Sequence, residues 1–410
     1  MNRRAFVRAA MLAPLATTAG CRLSFEQGLY SACRTGIDSV AAPAVEAAWE
    51  GLRPELVWDT HAHVFGNGRG KVGIFVGPEL DKPFWPGARA RREFFMNGGC
   101  VGEDDDKVDQ RMMRRLTRLV ADLPAGARVM LLAFDATYDA TGERRPDITG
   151  FLVPNDYVRS LAAALPSRFE WAASVHPYRP DAIEELERVK AGGARAIKWL
   201  PPAMGIDPSS AKCAPFFDAM KRLDIPLLTH AGDEQAVPGA RDHPAANPLH
   251  LRHPLDRGVR VIAAHCATLG ASADLDRDAD PGKAPEALNF DLFSRLMADR
   301  RYEGLLFGDL SAVTQSNRLE FLGPLIARKE WHGRLLNGSD YPLPGILPLF
   351  SLDRMVGDGF IDPAVVPALR SLRESNALLF DFVLKRNLRF GGQRLPNSAF
   401  ETRDFFLRAG

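Results

Sequence analysis

Val57-Trp58-Asp59-Thr60-His61-Ala62-His63-Val64-Phe65 is a short apolar run that carries two histidines one residue apart near its end. Residues two apart on a strand project from the same face, so both imidazoles point one way from one strand end, with Asp59 below them. Paired imidazoles are a common way to hold zinc or a similar divalent metal, but two residues supply only half a site. The plain alternative is a His-Ala-His loop with no ligand. The rest of the chain decides between the two readings.

Working outward from this stretch, short apolar β-like runs alternate with amphipathic helical patterns. The strand expectations are 56–61, 129–134, 169–175, 194–199, 225–229, 259–264, 305–308 and 335–338. Several end on a polar residue: Asp135, His176, His230, His265, Asp309, and Ser339-Asp340-Tyr341-Pro342. On the fourth, Ala196 and Lys198 share one face, and Ile197 and Trp199 the other. Eight strand–helix units are the number that closes a parallel α/β barrel of the (β/α)8 TIM type, in which chemistry gathers at the C-terminal strand ends. An open doubly wound sheet is the alternative, but no Gly-rich phosphate loop follows the first strand. The spacing predicts helices near 44–50, 156–165, 285–299, 320–329 and 363–385. It predicts one opened by Asp104-Asp105-Asp106 with an apolar stripe of Val108, Met112, Leu116, Leu119 and Leu123. Pro180-Asp181 starts a further helix and Gly192-Gly193 stops it.

The resulting domain map has an address segment at 1–20, a lead-in at 21–55, a barrel at 56–390 and a tail at 391–410. An insertion at about 66–102 follows the first strand, rich in Gly and Pro and carrying Phe84, Trp85, Phe94 and Phe95. Such a loop reads either as a lid over a site or as a surface loop packed on its own aromatics.

His61, His63, Lys198, His230, His265 and Asp340 are the candidates that converge at the barrel mouth. Four of the nine histidines fall in this set, which core or surface placement explains poorly. His176 stands at another strand end as a candidate substrate contact. Asp135, Asp309 and Tyr341 stand where substrate contacts could also come from, and each of the four, His176 included, reads more simply as a loop anchor. His243, His250, His253 and His332 read as surface residues.

Five pieces, in order, resemble the amidohydrolase superfamily, and more closely its amidohydrolase-related branch of metal-dependent barrel hydrolases and decarboxylases. They are Asp59-Thr60-His61-Ala62-His63; Ala196-Ile197-Lys198-Trp199 with Gly205-Ile206-Asp207; Thr229-His230-Ala231-Gly232; Ala264-His265-Cys266; and Gly338-Ser339-Asp340-Tyr341-Pro342. The resemblance implies one divalent ion, zinc first and manganese or iron next, held by His61, His63 and His230. Asp340 would be a fourth ligand or the general base toward the water that the metal activates. His265 would orient that water or polarise the substrate carbonyl. Lys198 would bind an anionic substrate group or a neighbouring carboxylate. A two-metal site bridged by carbamylated Lys198, as in other branches, is the lesser expectation.

The chain has 410 residues, 46% hydrophobic and 25% charged, with formal net charge +1. No basic patch suggests nucleic acid, and no apolar run reaches the roughly 18 residues a spanning helix needs. Asn2-Arg3-Arg4-Ala5-Phe6-Val7-Arg8 resembles a twin-arginine export signal, and Thr18-Ala19-Gly20-Cys21 a lipoprotein cleavage box. The expectation is export to the periplasm, with membrane contact only through a lipid on Cys21. The plain alternative is a basic N-terminal helix. Cleavage after residue 20 removes Arg3, Arg4 and Arg8, taking the formal charge from +1 to −2. Cys33, Cys100, Cys213 and Cys266 show no Cys-x-x-Cys spacing. Cys33 and Cys100 are the pair open to bridging in an oxidising compartment, which the sequence alone does not decide.

Three functions compete. The first is a metal-dependent hydrolase of a small amide, ester or lactone. The second is a lyase on the same site, a decarboxylase or hydratase of an unsaturated or aromatic acid. The third is a lipid-anchored binding protein that kept the barrel, against which the full ligand set argues. The partner expected is a small molecule. The insertion and tail pack either on their own barrel or on a second subunit.

Overall fold

The computed structural model describes residues 23–77, 86–102, 106–234 and 243–407, with side chains of residues 86–89 left aside. The address segment, Cys21, Phe84, Trp85, Asp104 and Asp105 lie outside the described residues.

The barrel strands are β1 (Trp58–His63), β2 (Arg128–Leu132), β3 (Phe169–Ala172), β4 (Ile197–Trp199), β5 (Leu227–His230), β6 (Val261–Ala264), β7 (Leu306–Asp309) and β8 (Leu335–Leu336). All neighbouring pairs are parallel: β1-β2-β3 form one arc and β4 through β8 the other. Two seams join the arcs. At one, Ala173 bridges Ile197 and Lys198 N donates to Ala173 O at 2.7 Å. At the other, Ala62 bridges Tyr341, and Asp340 N donates to His61 O at 2.7 Å. The expected (β/α)8 barrel is the fold.

The alternation of side chains sorts two cores. Met130, Leu132, Ala172, Ala196, Leu228, Ile262, Ala264 and Leu336 fill the barrel interior. Val129, Leu131, Ile197, Trp199, Leu227 and Val261 face the surrounding helices. Trp199 lies against Phe216 and Phe217 and gives its indole N–H to Val175 O at 2.8 Å. The helix Val108–Ala121 buries Val108, Met112, Leu116 and Leu119 as the stripe requires, while Leu123 falls past its end. Helix Ala182–Ala191 stops at Gly192-Gly193, with Gly193 at φ +88°.

Several boundaries move. β1 extends through His63, because the β8 seam pairs its end. β8 itself keeps only two ladder residues, because the chain turns into the site immediately after. Glu286–Leu288, expected as the start of a helix, pairs antiparallel with Ala271–Ala273, and the helix starts at Asn289. The long closing helix is two, Val366–Ser375 and Ala377–Asn387, broken at Asn376, whose side chain caps the second.

The insertion is ordered at both ends. Phe75–Val76 pairs with Phe151–Leu152, and Pro86–Gly98 is a helix. Asn97 ties that helix to the lead-in by exchanging hydrogen bonds with Ser31, and Tyr30 stacks on Phe94. A disulfide joins Cys33 to Cys100. The tail is structural as well. Helix Arg403–Phe406 closes the N-terminal end of the barrel, with Phe406 stacked on Trp58 and Phe405 edge-on to Phe307. Thr402 donates its hydroxyl to Trp58 O at 2.8 Å.

Candidate metal centre

β1 ends on His61 and His63, and the β8 seam places Asp340 opposite them. The His63 Nε2 to Asp340 Oδ1 distance is 2.9 Å, and His61 Nε2 lies 3.6 Å from the same oxygen. β5 contributes His230 and the residue after β6 contributes His265, with their Nε2 atoms 3.0 Å apart. His265 Nε2 lies 3.9 Å from Asp340 Oδ2. Five of the sequence-derived residues therefore share one space, every neighbouring gap narrow enough for ligand bonds of ~2 Å.

The supports behind these rings fix their orientation. Asp309, at the end of β7, accepts a hydrogen bond from His61 Nδ1 at 2.6 Å, so the His61 Nε2 lone pair faces Asp340 and the Lys198 Nζ 3.2 Å away. Ser311 bonds the same carboxylate. It also bonds His265 Nδ1, through Oγ at 2.8 Å and through its carbonyl at 3.0 Å. Asp59 accepts from His61 N and from Ser339 N, fastening β1 to the turn that bears Asp340. Gly338 begins that turn. A Cβ there would sit 2.7 Å from His61 Cβ and 2.8 Å from Asp309 Oδ1, so no side chain fits.

The backbone is also unusual. His265, Cys266 and Ala267 all have φ near +50°, and Asp340 has φ +59°. Non-glycine residues adopt this region at a cost, and such strain collects at functional sites. Thr268 Oγ1 to His265 O and Cys266 Sγ to Asp309 O hold the turn.

Burial sets the protonation states. It drives His61 and His230 down, helped at His61 by Lys198 and at His230 by His265 and Lys198, and brings His265 to about 3. Burial pushes Asp340 upward, but His265, His63 and His61 outweigh it and keep its carboxyl well below the ordinary range. The result is neutral imidazoles beside an ionised carboxylate, the states a divalent ion requires of its ligands.

Three overlapping clusters are close enough to hold a cation: His61–His63–Asp340, His230–Glu234–His265 and His61–His265–Asp309. The third is the support layer, because its Asp309 contact is the Nδ1–H hydrogen bond. The first two pair imidazoles with a carboxylate beside the cavity, and the expected set of His61, His63, His230 and Asp340 is divided between them. Glu234, 3.1 Å from His230 Nε2, was not anticipated. Its position just past Thr229-His230-Ala231-Gly232, at i+4 from His230, was the only signal.

Two expected substrate contacts stand elsewhere. Lys198 is fully buried, with Nζ 3.2 Å from His61 Nε2 and burial lowering it to about 8, so it meets the ligand cluster itself and does not line the cavity. His176 spends both ring nitrogens on backbone, Nε2 on Met204 O and Nδ1 on Tyr178 N, so it braces loops. Asp135 anchors the same loops through His176 N and Arg179. Of the four histidines expected at the surface, His253 is exposed and His243, His250 and His332 are half-buried.

The cluster opens into a cavity of about 310 Å³. Phe65, Phe134, Phe151, Leu343 and Ile346 give it apolar walls, the insertion helix adds Phe94 and Phe95, and Gln315 and Arg318 enter from the loop after β7. The insertion thus covers the site.

The family model for amidohydrolases matches residues 58–345, and the chain belongs to that family. No curated protein matches its sequence. Among solved structures, it resembles an uncharacterised TIM-barrel protein from Bordetella bronchiseptica, at 15% identity and TM-score 0.45, covering 76% of this chain and 94% of that one. It also resembles 2,6-dihydroxybenzoate decarboxylase from Rhizobium, at 16% identity and TM-score 0.40, covering 79% and 97%. A third is 4-oxalomesaconate hydratase from Rhodopseudomonas palustris, at 14% identity and TM-score 0.38, covering 70% and 81%.

Proposed function

We propose that the chain is a metal-dependent hydrolase of a small amide, ester or lactone, holding one divalent ion, zinc before manganese or iron, on His61, His63, His230 and Asp340. The observation that carries this reading is an ionised Asp340 within 4 Å of His61, His63 and His265 at the floor of an apolar cavity. A divalent ion bound there supplies Lewis acidity and brings water toward ionisation near neutral pH.

The chain's own groups do the rest. Asp340, kept ionised, accepts a proton at a carboxylate oxygen and passes it to the leaving group. His265 gives its Nδ1 proton to the Ser311 carbonyl, so its Nε2 is an acceptor. It therefore orients water by accepting a hydrogen bond rather than donating one to a carbonyl. The aromatic walls and the insertion helix exclude bulk water and strengthen these interactions.

Export to the periplasm, with a lipid on Cys21, belongs to the same proposal, and the Cys33–Cys100 disulfide supports an oxidising compartment. An intact Met1 on the membrane-fraction protein would remove that part.

Elemental analysis of protein purified without chelator should find about one metal per chain. Turnover in 18O-labelled water should place the label in a cleaved product. Carbon dioxide release without label would make the enzyme a lyase, and absence of metal would leave a binding protein.

A further inference from the structure

We propose that Arg318 is the anchor for a carboxylate on the substrate, remote from the bond that reacts, and that the preferred substrates are small carboxylates with an apolar body. This rests on the hydrolase reading only for which bond is broken, not for how the molecule is held.

Arg318 is 5% exposed and lines the cavity. Its Nη1 donates to Thr268 Oγ1 at 2.8 Å, while its Nε is buried with no acceptor. No carboxylate pairs with it among the described residues, although Glu234, Asp340 and Asp233 are near enough for their charges to act on it. A buried guanidinium with one neutral partner is costly, since five donors are left largely unmatched. Natural structures rarely leave such a group so, and the missing acceptor is a planar anion in the cavity. Gln315, from the same loop and 6% exposed, also lines the cavity, and its side-chain nitrogen is buried without an acceptor. Both residues thus bring hydrogen-bond donors to one wall of the cavity.

The apolar walls of Phe65, Phe134, Phe151, Leu343 and Ile346 suit an alkyl or aromatic body between the substrate carboxylate and the ligand cluster.

The test measures binding of 3-phenylpropionate and its neutral analogue 3-phenylpropanol to metal-loaded protein by calorimetry. The acid should bind roughly 10- to 100-fold tighter, the range for a hydrogen-bonded charge pair. Arg318→Gln should abolish that preference with metal content unchanged, which separates the anchor from direct binding of the acid to the ion. Should Arg318→Gln not fold, Arg318→Lys is read instead, and its preference should fall several-fold for want of the planar fork. Equal affinity for acid and alcohol in the wild type, or a preference that survives substitution, overturns the proposal. Ester hydrolysis without acid preference would sink this proposal alone. Acid preference lost with Arg318 in a protein that holds no metal would sink the hydrolase reading alone.

Discussion

The two ends of the barrel close in opposite ways. At the C-terminal end, β1 presents His61 and His63 to a cluster of imidazoles and carboxylates roofed by the insertion. At the N-terminal end, the same strand begins with Trp58, on which Phe406 is stacked, with Arg128 and Arg195 about 5.9 Å from the indole centroid. Glu170 pairs both arginines, and Arg260 lies over the Phe405 ring at 4.8 Å. Trp58 of the hydrophobic plug and His61 of the candidate metal centre are three positions apart. The plug spends its residues on stability, whereas the mouth tolerates positive φ at His265 and Asp340 and crowds charges that burial disfavours.

Substitutions at the two ends should therefore separate activity from stability. Asp340→Asn removes the proposed ligand and proton acceptor, and kcat/KM should fall by roughly 10³-fold or more, about 4 kcal/mol, with little change in Tm. A Tm drop equal to that of a core variant would break the contrast. Phe406→Ala should do the reverse, costing about 3 kcal/mol in urea unfolding while kcat is kept. Asp309→Asn lies between, since it frees the His61 ring without removing a ligand. Metal affinity in a chelator competition should weaken about 10- to 100-fold. The smallest effect concerns His176, neutral and buried, with burial taking it down to about 4 from an ordinary 6.5. Between those values the unfolded chain binds the extra proton, so stability falls as pH drops from about 6.5 toward 4. The loss is on the order of 2 kcal/mol, and His176→Gln should flatten it.

Strand number and the residues at the mouth were readable because alternation and position carry them. The imidazoles of His61, His63, His230 and His265 each follow an apolar run whose period fixes direction. What lay beyond reading depends on contacts between distant segments. Asp309 looked like a loop anchor, and only the fold brings it to His61, 248 residues away. Lys198 was placed on the inner face correctly, but its place against the ligand cluster depends on how strands stagger at the seam. His176 shares the strand-end position of the ligands, and its two backbone partners, Met204 and Tyr178, lie on loops that no period describes. The tail carried too little pattern to show that two phenylalanines would stopper a barrel.

Gly338 leaves this protein little room to change by small steps. With His61 and Asp309 where a β-carbon would stand, even an alanine there would crowd the first histidine and its carboxylate support and strain the turn that bears Asp340. Diversification of what the enzyme accepts must then come from the segments that roof the cavity, while the floor is inherited whole or lost.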